Sequence, residues 1–460
     1  MKHFVKQIRV ALFSLLISSY CLGQASIVLK NGVSIENIVV ISGTDSGQIK
    51  TYQGFVIIDD GKIVFAGRKR PYLTGHFQTI NGEGKYIIPG LIDSHVHTGQ
   101  VVGFAEKHYE KYPDLTKTVL QHEPKAYLYF GFTTLIDLGD RNSEIIKLYQ
   151  NSLYAPHLFG VGHTVRQFDG YGHNFFKKPE IYTGKMFNWV YNPDQLRDIP
   201  GWIDTAEHTP QVVIQNAANA GAIAIKAFYE DGFSGVIPGL KLPADVLLKE
   251  IVHAAHLKKM PVILHATSVD AYKKGLVAGV DILAHGLWHF EKGNFLDATP
   301  PARLKIEELI GQIVEKGILV QPTMRVVLSE KNIFTLDLIS HPDLKNALPP
   351  ALINWFDTPE GKWGQEDLMD MYSNSVLPDK HIGPAVYLDS LCNRVYNMIN
   401  LMKRKGVKFI FGTDTPTSAA GLGSVAGLNG FLELQAMEKA GLSLEEIFFA
   451  ATIRNALAFK

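Results

Sequence analysis

The chain lacks the features that mark small disulfide-stabilised scaffolds and nucleic-acid-binding proteins. Only two of its 460 residues are cysteine, Cys21 and Cys392, which is too few for a disulfide framework. Its 45 basic residues are balanced by 45 acidic ones and no long basic run stands out, so we expect no nucleic-acid partner. With 46% hydrophobic and 20% charged residues, the composition is that of a packed globular protein.

The N-terminus has no hydrophobic run long enough to span a membrane. Lys2, Lys6 and Arg9 precede an uncharged segment, Val10–Gly23, that is shorter than the roughly 20 residues of a membrane-spanning helix. A basic start, a short apolar middle and small residues at the end are typical of a secretory signal peptide. We therefore expect residues 1–23 to be removed and the mature protein to be exported, periplasmic or extracellular, without stable membrane insertion. A retained N-terminal anchor is the alternative.

Two different patterns divide the rest of the chain. Residues 24–88 contain short apolar strands separated by turn pairs such as Asn31-Gly32 and Asp60-Gly61. This pattern predicts a small all-β module, which we expect to be a β-sandwich. From there on, apolar strands alternate with polar loops and helical segments, which is typical of a parallel α/β sheet.

The α/β part, residues 89–460, fits a (β/α)8 TIM barrel, with a doubly wound open sheet as the alternative. The interval between the seventh and eighth strands is too long for one connection, so we expect an insertion near 324–381. The strand candidates are Ile87–Ile92, Thr133–Asp137, His157–Val161, Ala222–Phe228, Val262–His265, Ile282–His285, Leu319–Pro322 and Lys408–Gly412.

Several of these strands end in side chains that can bind a metal ion. His95 and His97 are alternate residues of an extended segment, so both imidazoles face one side and can bind one ion together. The fifth and sixth strands end in His265 and His285, and the eighth is followed by Asp414. In a barrel these residues would all lie at the carboxyl-terminal rim, where barrel enzymes carry their reactive groups.

Lys226 is the least ordinary of the candidates because it lies inside an apolar strand. A buried, isolated ammonium is costly and usually finds a partner or changes its pKa. A single histidine or aspartate at a strand end can be explained as a hydrogen-bonded core residue or a helix cap. Four histidines, a lysine and an aspartate on one rim instead predict a metal centre.

These residues carry a family resemblance. The run from Ile88 to His97 resembles the opening motif of the metal-dependent amidohydrolase superfamily. Within it, the chain is most similar to the imidazolonepropionase-like branch, which includes metal-dependent dipeptidases, and its Gly170-Tyr171-Gly172-His173 loop resembles that branch's Gly-Gly-His loop. The resemblance also covers Gly131–Thr134, Ile225–Lys226, Leu264–Ala266, Ala284–Gly286, Gly412–Thr415 and Ala450–Ala456.

The resemblance implies which residues hold the metals. His95 and His97 would bind the more buried of two divalent ions, and His265 and His285 the more exposed one. Lys226 would be carboxylated by CO2, and its carbamate would bridge both ions. The alternative is a mononuclear site beside an uncarboxylated Lys226. Zinc is the expected metal for such a histidine-rich site, with manganese or cobalt as alternatives.

The resemblance also implies the chemistry. Asp414 would be a metal ligand and the catalytic residue: a metal-bridging hydroxide would attack the amide carbonyl, and Asp414 would take the proton of the bridging water and deliver it to the leaving nitrogen. The implied function is an exported hydrolase that cleaves the amide bond of a small peptide, an N-acyl amino acid or a cyclic amide. One alternative keeps the metal site but acts on a lactone or phosphotriester, or as a deaminase. Another is a non-catalytic, metal-stabilised binding protein.

Substrate contacts are expected on the loops after the third and fourth strands. His163, Arg166 and His173 follow the third strand, and Tyr229 follows the fourth. Arg166 could hold a substrate carboxylate through paired hydrogen bonds. The expected partner is a small molecule or a short peptide, and a homo-oligomer is left open.

One departure from the family concerns the β module. Family members usually continue past the final helix with strands that complete the small sandwich. Here the sequence stops at Lys460, four residues after Ala456. We therefore expect the usual C-terminal strands of the module to be missing.

Overall fold

In the computed structural model the chain divides into two compact units, Met1–Pro89 and Gly90–Lys460. The structure describes residues 26–44, 47–140, 142–175, 181–182, 188–232, 239–289, 300–335, 337–371, 384–416 and 421–460. The expected signal peptide, residues 1–23, lies outside them. Among the described helices, none combines the length and the apolar character needed to cross a membrane.

The first unit is an all-β module whose described residues form one five-stranded sheet. Its strands are β1 (Ser26–Gly43), β2 (Ile49–Asp59), β3 (Lys62–Gly67), β4 (Tyr72–Asn81) and β5 (Tyr86–Ile87). Strand β2 pairs antiparallel with β1 and β3, whereas β4 and β5 run parallel to β1. The second sheet that a β-sandwich requires is not found among the described residues of this unit.

Strand β1 is longer than the sequence predicts because the Asn31-Gly32 pair does not form a turn. One carboxylate oxygen of Asp59 accepts hydrogen bonds from the main-chain N–H groups of Lys30, at 3.0 Å, and Asn31, at 2.9 Å. The main chain is thereby satisfied by a neighbouring strand, and β1 continues through a bulge instead of reversing.

The Asp60-Gly61 pair does form the predicted hairpin turn. Both residues have positive φ, 48° and 75°, which a two-residue turn between twisted strands requires. The strand that follows the β2–β3 hairpin, β4, was not predicted. Its residues alternate poorly between apolar and polar types and most of them are exposed, so the period-two pattern of a half-buried strand is absent.

The second unit is a mixed α/β structure built on parallel strands. They are β6 (Leu91–Val96), β7 (Phe132–Asp137), β8 (His157–Gly160), β9 (Arg166–Gln167), β10 (Trp189–Val190), β11 (Ile225–Phe228), β12 (Val262–His265), β13 (Ile282–Ala284) and β14 (Leu319–Gln321). One sheet has the order β6-β7-β8 and another the order β11-β12-β13-β14, while β9 and β10 form a short separate pair.

Parallel bridges extend these two sheets in a TIM-barrel-like order. They join Val165 to Ala227, Val320 to Phe409 and Val96 to Thr415. The first joins the residue before β9 to β11, and the N–H of Ile223, just before β11, donates to the carbonyl of Gly160 at the end of β8. The second bridge joins β14 to the segment 408–415, and the third joins that segment to β6. The prediction of a TIM-barrel-like α/β fold is confirmed at this level.

Helices follow most of the strands, as alternating α/β units require. The α-helices are Glu106–Lys111, Pro113–Tyr129, Ser143–Asn151, Pro210–Asn219, Asp245–Leu257, Val269–Ala278, Pro300–Lys316, Arg325–Thr335, Leu344–Ala347, Pro350–Phe356, Trp363–Met371, Pro384–Lys405, Leu428–Lys439, Leu444–Phe449 and Asn455–Ala458. Short 3-10 helices are His173–Phe175, Pro193–Arg197, Thr205–His208, Asp337–Ser340 and Glu360–Lys362, and Ala450–Arg454 is a π-helix.

The first and last strands of this unit differ from their predicted bounds. Ile87 belongs to β5 of the first unit, and Pro89-Gly90 separates it from β6, because proline has no N–H to donate to a strand ladder. Strand β6 therefore starts later and contains His95. The segment predicted as the eighth strand, Lys408–Gly412, makes one parallel bridge, from Phe409 to Val320, and a second bridge follows it, from Thr415 to Val96, without a longer ladder.

The core of this unit has two layers on either side of the strands. Ile263, Ile282 and Ile410 pack together in one cluster, whereas Leu264 and Leu283 pack in the large cluster that includes the helices. Neighbouring residues of β12 and β13 thus face opposite sides, as the period of two in a strand dictates. All four residues of β12 are buried, which explains its continuous apolar sequence.

The expected insertion near 324–381 contains several short helices in its described part. Their side chains build a second core with residues that follow β6: Trp355 and Phe356 belong to the same cluster as Val101 and Phe104. The Trp355 and Phe104 rings meet edge to face, with centroids 4.9 Å apart. This arrangement covers the chain immediately downstream of His97.

Candidate metal centre

His95, His97 and Asp414 converge on one point. The Nε2 atoms of His95 and His97 lie 3.2 and 2.7 Å from the same carboxylate oxygen, Oδ1 of Asp414. One ligand atom from each residue lies within 4.8 Å of the others, which is the geometry of a group that can hold a metal ion. The structure therefore brings together the first pair of predicted ligands and the predicted catalytic aspartate.

The main chain around Asp414 has an unusual conformation that places the carboxylate beside the two histidines. Its N–H donates to the carbonyl of His95 at 2.7 Å, and its φ is +60°, a left-handed conformation that is rare outside glycine. Gly412 nearby has no room for a side chain, because a Cβ there would lie 2.7 Å from Cβ of His95 and 2.5 Å from Nε2 of Gln321. Such crowded and unusual backbone is common at functional sites.

His265 and His285 form a second group beside the first. Nδ1 of His265 lies 2.8 Å from Nε2 of His285, and their ring centroids are 4.4 Å apart. His285 also adjoins the first group, since its ring lies 5.3 Å from that of His95 and its Nδ1 lies 3.8 Å from Oδ2 of Asp414. Like Asp414, His285 has a positive φ, of 79°.

Lys226 is buried among these groups. It is 2% exposed, and its Nζ has no hydrogen-bond partner among the residues that the structure describes. Burial lowers the pKa of Lys226 to about 8, against the opposing charge of Asp414. The charge of Lys226 in turn opposes protonation of all four histidines, although other contacts outweigh it at His97, and this places Lys226 within electrostatic reach of both groups.

The site keeps most of its histidines in the neutral form that binds metals. Burial lowers the pKa of His95 to about 4, and it also lowers the pKa values of His265 and His285. For His97, burial is outweighed by the hydrogen bond and charge of Asp414, which raise the pKa. Burial would raise the pKa of Asp414, but His95 and His97 hold it well below its usual value, so the carboxylate is ionised.

Each group is supported by hydrogen bonds from residues that the sequence reasoning missed. Gln321 Oε1 lies 2.7 Å from Nδ1 of His95, and the hydroxyl of Thr323 lies 2.8 Å from Nδ1 of His285. Oε2 of Glu230 lies 3.3 Å from Nε2 of His265. The missed signal was positional: Gln321 ends β14 with Thr323 two residues on, and Glu230 lies just beyond β11.

Two of the predicted substrate contacts are already paired or enclosed. Nη2 of Arg166 donates to Oδ2 of Asp140 at 2.7 Å, and the arginine side chain is 12% exposed. His173 is 2% exposed, with its ring edge-on to those of Phe168 and Trp189 at 6.3 and 6.4 Å. Burial lowers the pKa of His173 to about 3, so this imidazole is neutral.

Of the other two, Tyr229 adjoins the second group through its main chain, since its N–H donates to the carbonyl of His265 at 3.1 Å. Tyr229 is buried in the large core cluster, and its hydroxyl donates to Asp270 at 3.0 Å. His163 is half-buried, and its carbonyl accepts from Asn188 at 3.4 Å. Tyr171, which was not among the predicted contacts, has its ring stacked on that of His265 with centroids 4.7 Å apart.

Solved structures share this fold across nearly the whole chain. A Xaa-Pro dipeptidase crystallised with methionine in its active site is 19% identical, with a TM-score of 0.58 over 93% of this chain and 88% of that one. An ochratoxinase from A. niger is 19% identical, with a TM-score of 0.61 over 94% and 85%. A molinate hydrolase is 16% identical, with a TM-score of 0.59 over 94% and 85%.

Sequence comparison gives the family directly. No curated protein matches the chain significantly. The model of the amidohydrolase family matches residues 86–460, which include both histidine groups, Lys226 and Asp414. That family generally uses divalent metals, and the cluster of His95, His97 and Asp414 is consistent with this. The chain therefore belongs to the amidohydrolase family and is a hydrolase that acts on carbon–nitrogen bonds.

Proposed function

We propose that the protein is an exported binuclear metallohydrolase that cleaves an amide bond in a small peptide, an N-acyl amino acid or a cyclic amide. The observation that carries the proposal is the position of Lys226. It is a buried lysine whose Nζ has no hydrogen-bond partner in the described part of the chain, and its charge acts on two histidine pairs. A carboxylated lysine would replace the costly buried cation with two oxygen ligands.

The donor set fits two divalent ions. Nε2 of His95 and Nε2 of His97 would hold one ion, with Asp414 beside them. Nδ1 of His265 and Nε2 of His285, which face each other at 2.8 Å, would hold the second. A set of imidazoles and carboxylates suits zinc, which we propose as the metal.

The carbamate of Lys226 would lie between the two ions. When bound there, two divalent ions would lower the pKa of a water and polarise the scissile carbonyl. Asp414 is ionised and 16% exposed in its side chain, so it can take a proton at its carboxylate and pass it to the leaving nitrogen.

The substrate class is proposed from the residues around the site and from the relatives' names. Tyr171 and Phe228, whose rings are 5.5 Å apart, give the site an aromatic wall beside His265. Arg166 lies against that wall, 5.8 Å from the Phe228 ring, and offers a cation for a carboxylate. A wall and a cation suit a dipeptide or an N-acyl amino acid, in line with the Xaa-Pro dipeptidase among the similar structures. His163, His173 and Tyr229 stay proposed substrate contacts.

We also propose the finer features of fold and location. The bridges from β14 to Phe409 and from Thr415 to β6 support a complete (β/α)8 barrel with 408–415 as its eighth strand. The basic and then apolar start of the sequence supports a signal peptide at residues 1–23 and export to the periplasm or beyond.

Purified protein reconstituted with Zn²⁺ and bicarbonate tests the function. It should hydrolyse members of a library of dipeptides and N-acyl amino acids, and a strong chelator should abolish that activity. His265→Ala should lose activity, whereas His256→Ala should retain it, because His256 is an exposed histidine on the helix Asp245–Leu257 whose Nε2 pairs with Asp281. Hydrolysis of lactones or phosphotriesters without any amide cleavage would contradict the proposed substrate class.

A further inference from the structure

Glu230 occupies a buried position next to the second histidine group. It is 4% exposed and lies two residues beyond the end of β11. Its Oε2 accepts a hydrogen bond from the hydroxyl of Thr267 at 2.6 Å, and its Oε1 accepts one from the N–H of Gly232 at 3.0 Å. Oε2 also lies 3.3 Å from Nε2 of His265. The carboxylate is thus held firmly by donors on two sides while it faces the imidazole.

The contact decides which nitrogen of His265 carries the proton. A carboxylate can only accept hydrogen bonds, so the proton of a neutral His265 belongs on Nε2, facing Glu230. The lone pair then lies on Nδ1, the atom that faces Nε2 of His285 at 2.8 Å. His285 has a different kind of partner: its Nδ1 lies 2.8 Å from the hydroxyl of Thr323, which can donate or accept and therefore does not by itself fix the tautomer of His285.

We propose that Glu230 is a positioning residue that fixes the Nε2–H tautomer of His265 and so presents Nδ1 to the second metal ion. The proposal rests on the binuclear function proposed above. Glu230 is not itself a metal ligand. Binding of the second ion would depend on it, whereas binding of the first ion would not. Partners of this kind orient a ligand imidazole and raise its basicity, and their loss typically costs about 10–100-fold in metal affinity or activity.

Glutamine is the informative replacement because it has nearly the same shape as glutamate. The carboxylate of Glu230 accepts from Thr267, Gly232 and His265 together, whereas an amide must turn its NH2 group towards at least one of these donors. If the amide nitrogen faces His265, the imidazole is driven to the opposite tautomer, with the proton on Nδ1. That tautomer cannot bind a metal through Nδ1.

The experiment compares wild-type protein with Glu230→Gln and with Thr267→Val as the matched control. Thr267→Val removes one neighbour of the carboxylate but leaves the acceptor for His265 in place. Zinc-loaded proteins are dialysed against chelators of graded strength, and the ions retained per chain are counted by elemental analysis. We expect Glu230→Gln to lose its second ion at about 10–100-fold lower chelator strength than wild type, while its first ion is retained like that of the wild type. Thr267→Val should change this by much less.

A second readout does not depend on metal or on turnover. In metal-free protein labelled with 15N-histidine, nitrogen–proton correlation spectra should show His265 protonated on Nε2 in the wild type and shifted towards Nδ1 in Glu230→Gln. A wild-type His265 protonated on Nδ1 overturns the proposal, even if the variant fails to fold. So does a folded Glu230→Gln that holds both ions as tightly as the wild type.

Different results contradict the binuclear function and the positioning role of Glu230. A wild-type protein that never holds a second ion contradicts the binuclear function, and the tautomer measurement then still decides the role of Glu230 towards His265. A wild-type protein with two ions, paired with an unchanged Glu230→Gln, contradicts only the positioning role.

Discussion

The main-chain N–H of Asp414 donates to the carbonyl of His95 at 2.7 Å. This hydrogen bond joins the segment 408–415 to strand β6 at the candidate metal centre itself. The same two residues meet through their side chains, with Nε2 of His95 3.2 Å from Oδ1 of Asp414. The carboxylate is therefore held by its own backbone as well as by its partners. A substitution that changes the acid–base chemistry of the side chain can therefore leave the position of residue 414 unchanged, so the two can be tested separately.

Asp414→Asn should retain the fold and lose turnover. Asparagine has nearly the same shape, and the main-chain hydrogen bond to His95 is independent of the side chain. At saturating metal we expect kcat to fall by about 10²–10⁴-fold, the usual contribution of general acid–base catalysis, with a smaller change in KM. Steady-state kinetics with a range of added Zn²⁺ measures this.

His265→Asn is the comparison for that variant. Its proposed duty is ligation, so added metal should recover part of its activity, whereas the kcat of Asp414→Asn should stay low at every metal concentration. If Asp414→Asn turned over normally once metal is replenished, the proton-transfer role of Asp414 would be wrong.

Gly412→Ala should damage the site through packing alone. The added Cβ would lie 2.7 Å from Cβ of His95 and 2.5 Å from Nε2 of Gln321, closer than real side-chain contacts. Overpacking of this kind costs about 1–3 kcal/mol of unfolding free energy, and here it should also weaken metal binding by displacing His95. Denaturant unfolding and metal titration measure the two effects.

Gly311→Ala is the matched control, because it makes the same change where there is room. Gly311 is exposed within the helix Pro300–Lys316, and a Cβ there meets nothing within 4 Å. Alanine in a helix interior should stabilise the protein by about 0.5–1 kcal/mol. Equal effects of the two substitutions would contradict the crowding described at Gly412.

Ionisation of Glu123 should lower the free energy of unfolding as the pH rises. Burial raises its pKa to about 8 from an ordinary 4.5, and the charge of Asp137 raises it further against hydrogen bonds from Tyr149 and the N–H of Gly99. Because the folded pKa lies above the unfolded one, the folded state binds the proton more tightly. The stability this contributes is complete below about pH 4.5 and is lost as the pH rises through 8, with a slope of at most about 1.4 kcal/mol per pH unit.

Glu123→Gln removes that titration. Between pH 5 and 8 the melting temperature of this variant should fall less than that of the wild type, with both proteins at saturating metal so that metal binding cancels. The exposed Glu308→Gln should leave the profile unchanged. A pH profile of Glu123→Gln that parallels the wild type would show that Glu123 does not titrate in this range.

The sequence predicts the candidate ligands at the strand ends, but not the residues that form hydrogen bonds with them. His265 and His285 could be found because each ends a short apolar run, and parallel strands bring such ends to one edge. Glu230 and Gln321 could not be assigned, because their roles depend on which nitrogen of a neighbouring imidazole they face. That is decided by side-chain directions on strands distant in sequence.

Two other differences have the same origin in long-range contacts. The sequence did not show that Nη2 of Arg166 bonds to Asp140, and the contact of Arg166 with a substrate carboxylate stays a prediction. The Asn31-Gly32 pair was expected to turn, and the carboxylate of Asp59 instead satisfies the main chain of a continuous strand. Local pattern predicts neither, since each is decided by a side chain that arrives from elsewhere in the fold.

The metal content of wild-type protein and of Lys226→Ala is the most direct test of the binuclear account. Protein reconstituted with Zn²⁺ and bicarbonate should hold close to two ions per chain. Lys226→Ala should lose at least one of them, and short carboxylates such as acetate or propionate should partly restore it by replacing the carbamate oxygens. Lys258→Ala, which removes an exposed lysine bonded to Gln215, should hold as much metal as the wild type. A wild-type protein that reproducibly holds one ion, together with a Lys226→Ala variant of unchanged metal content and activity, would contradict the account.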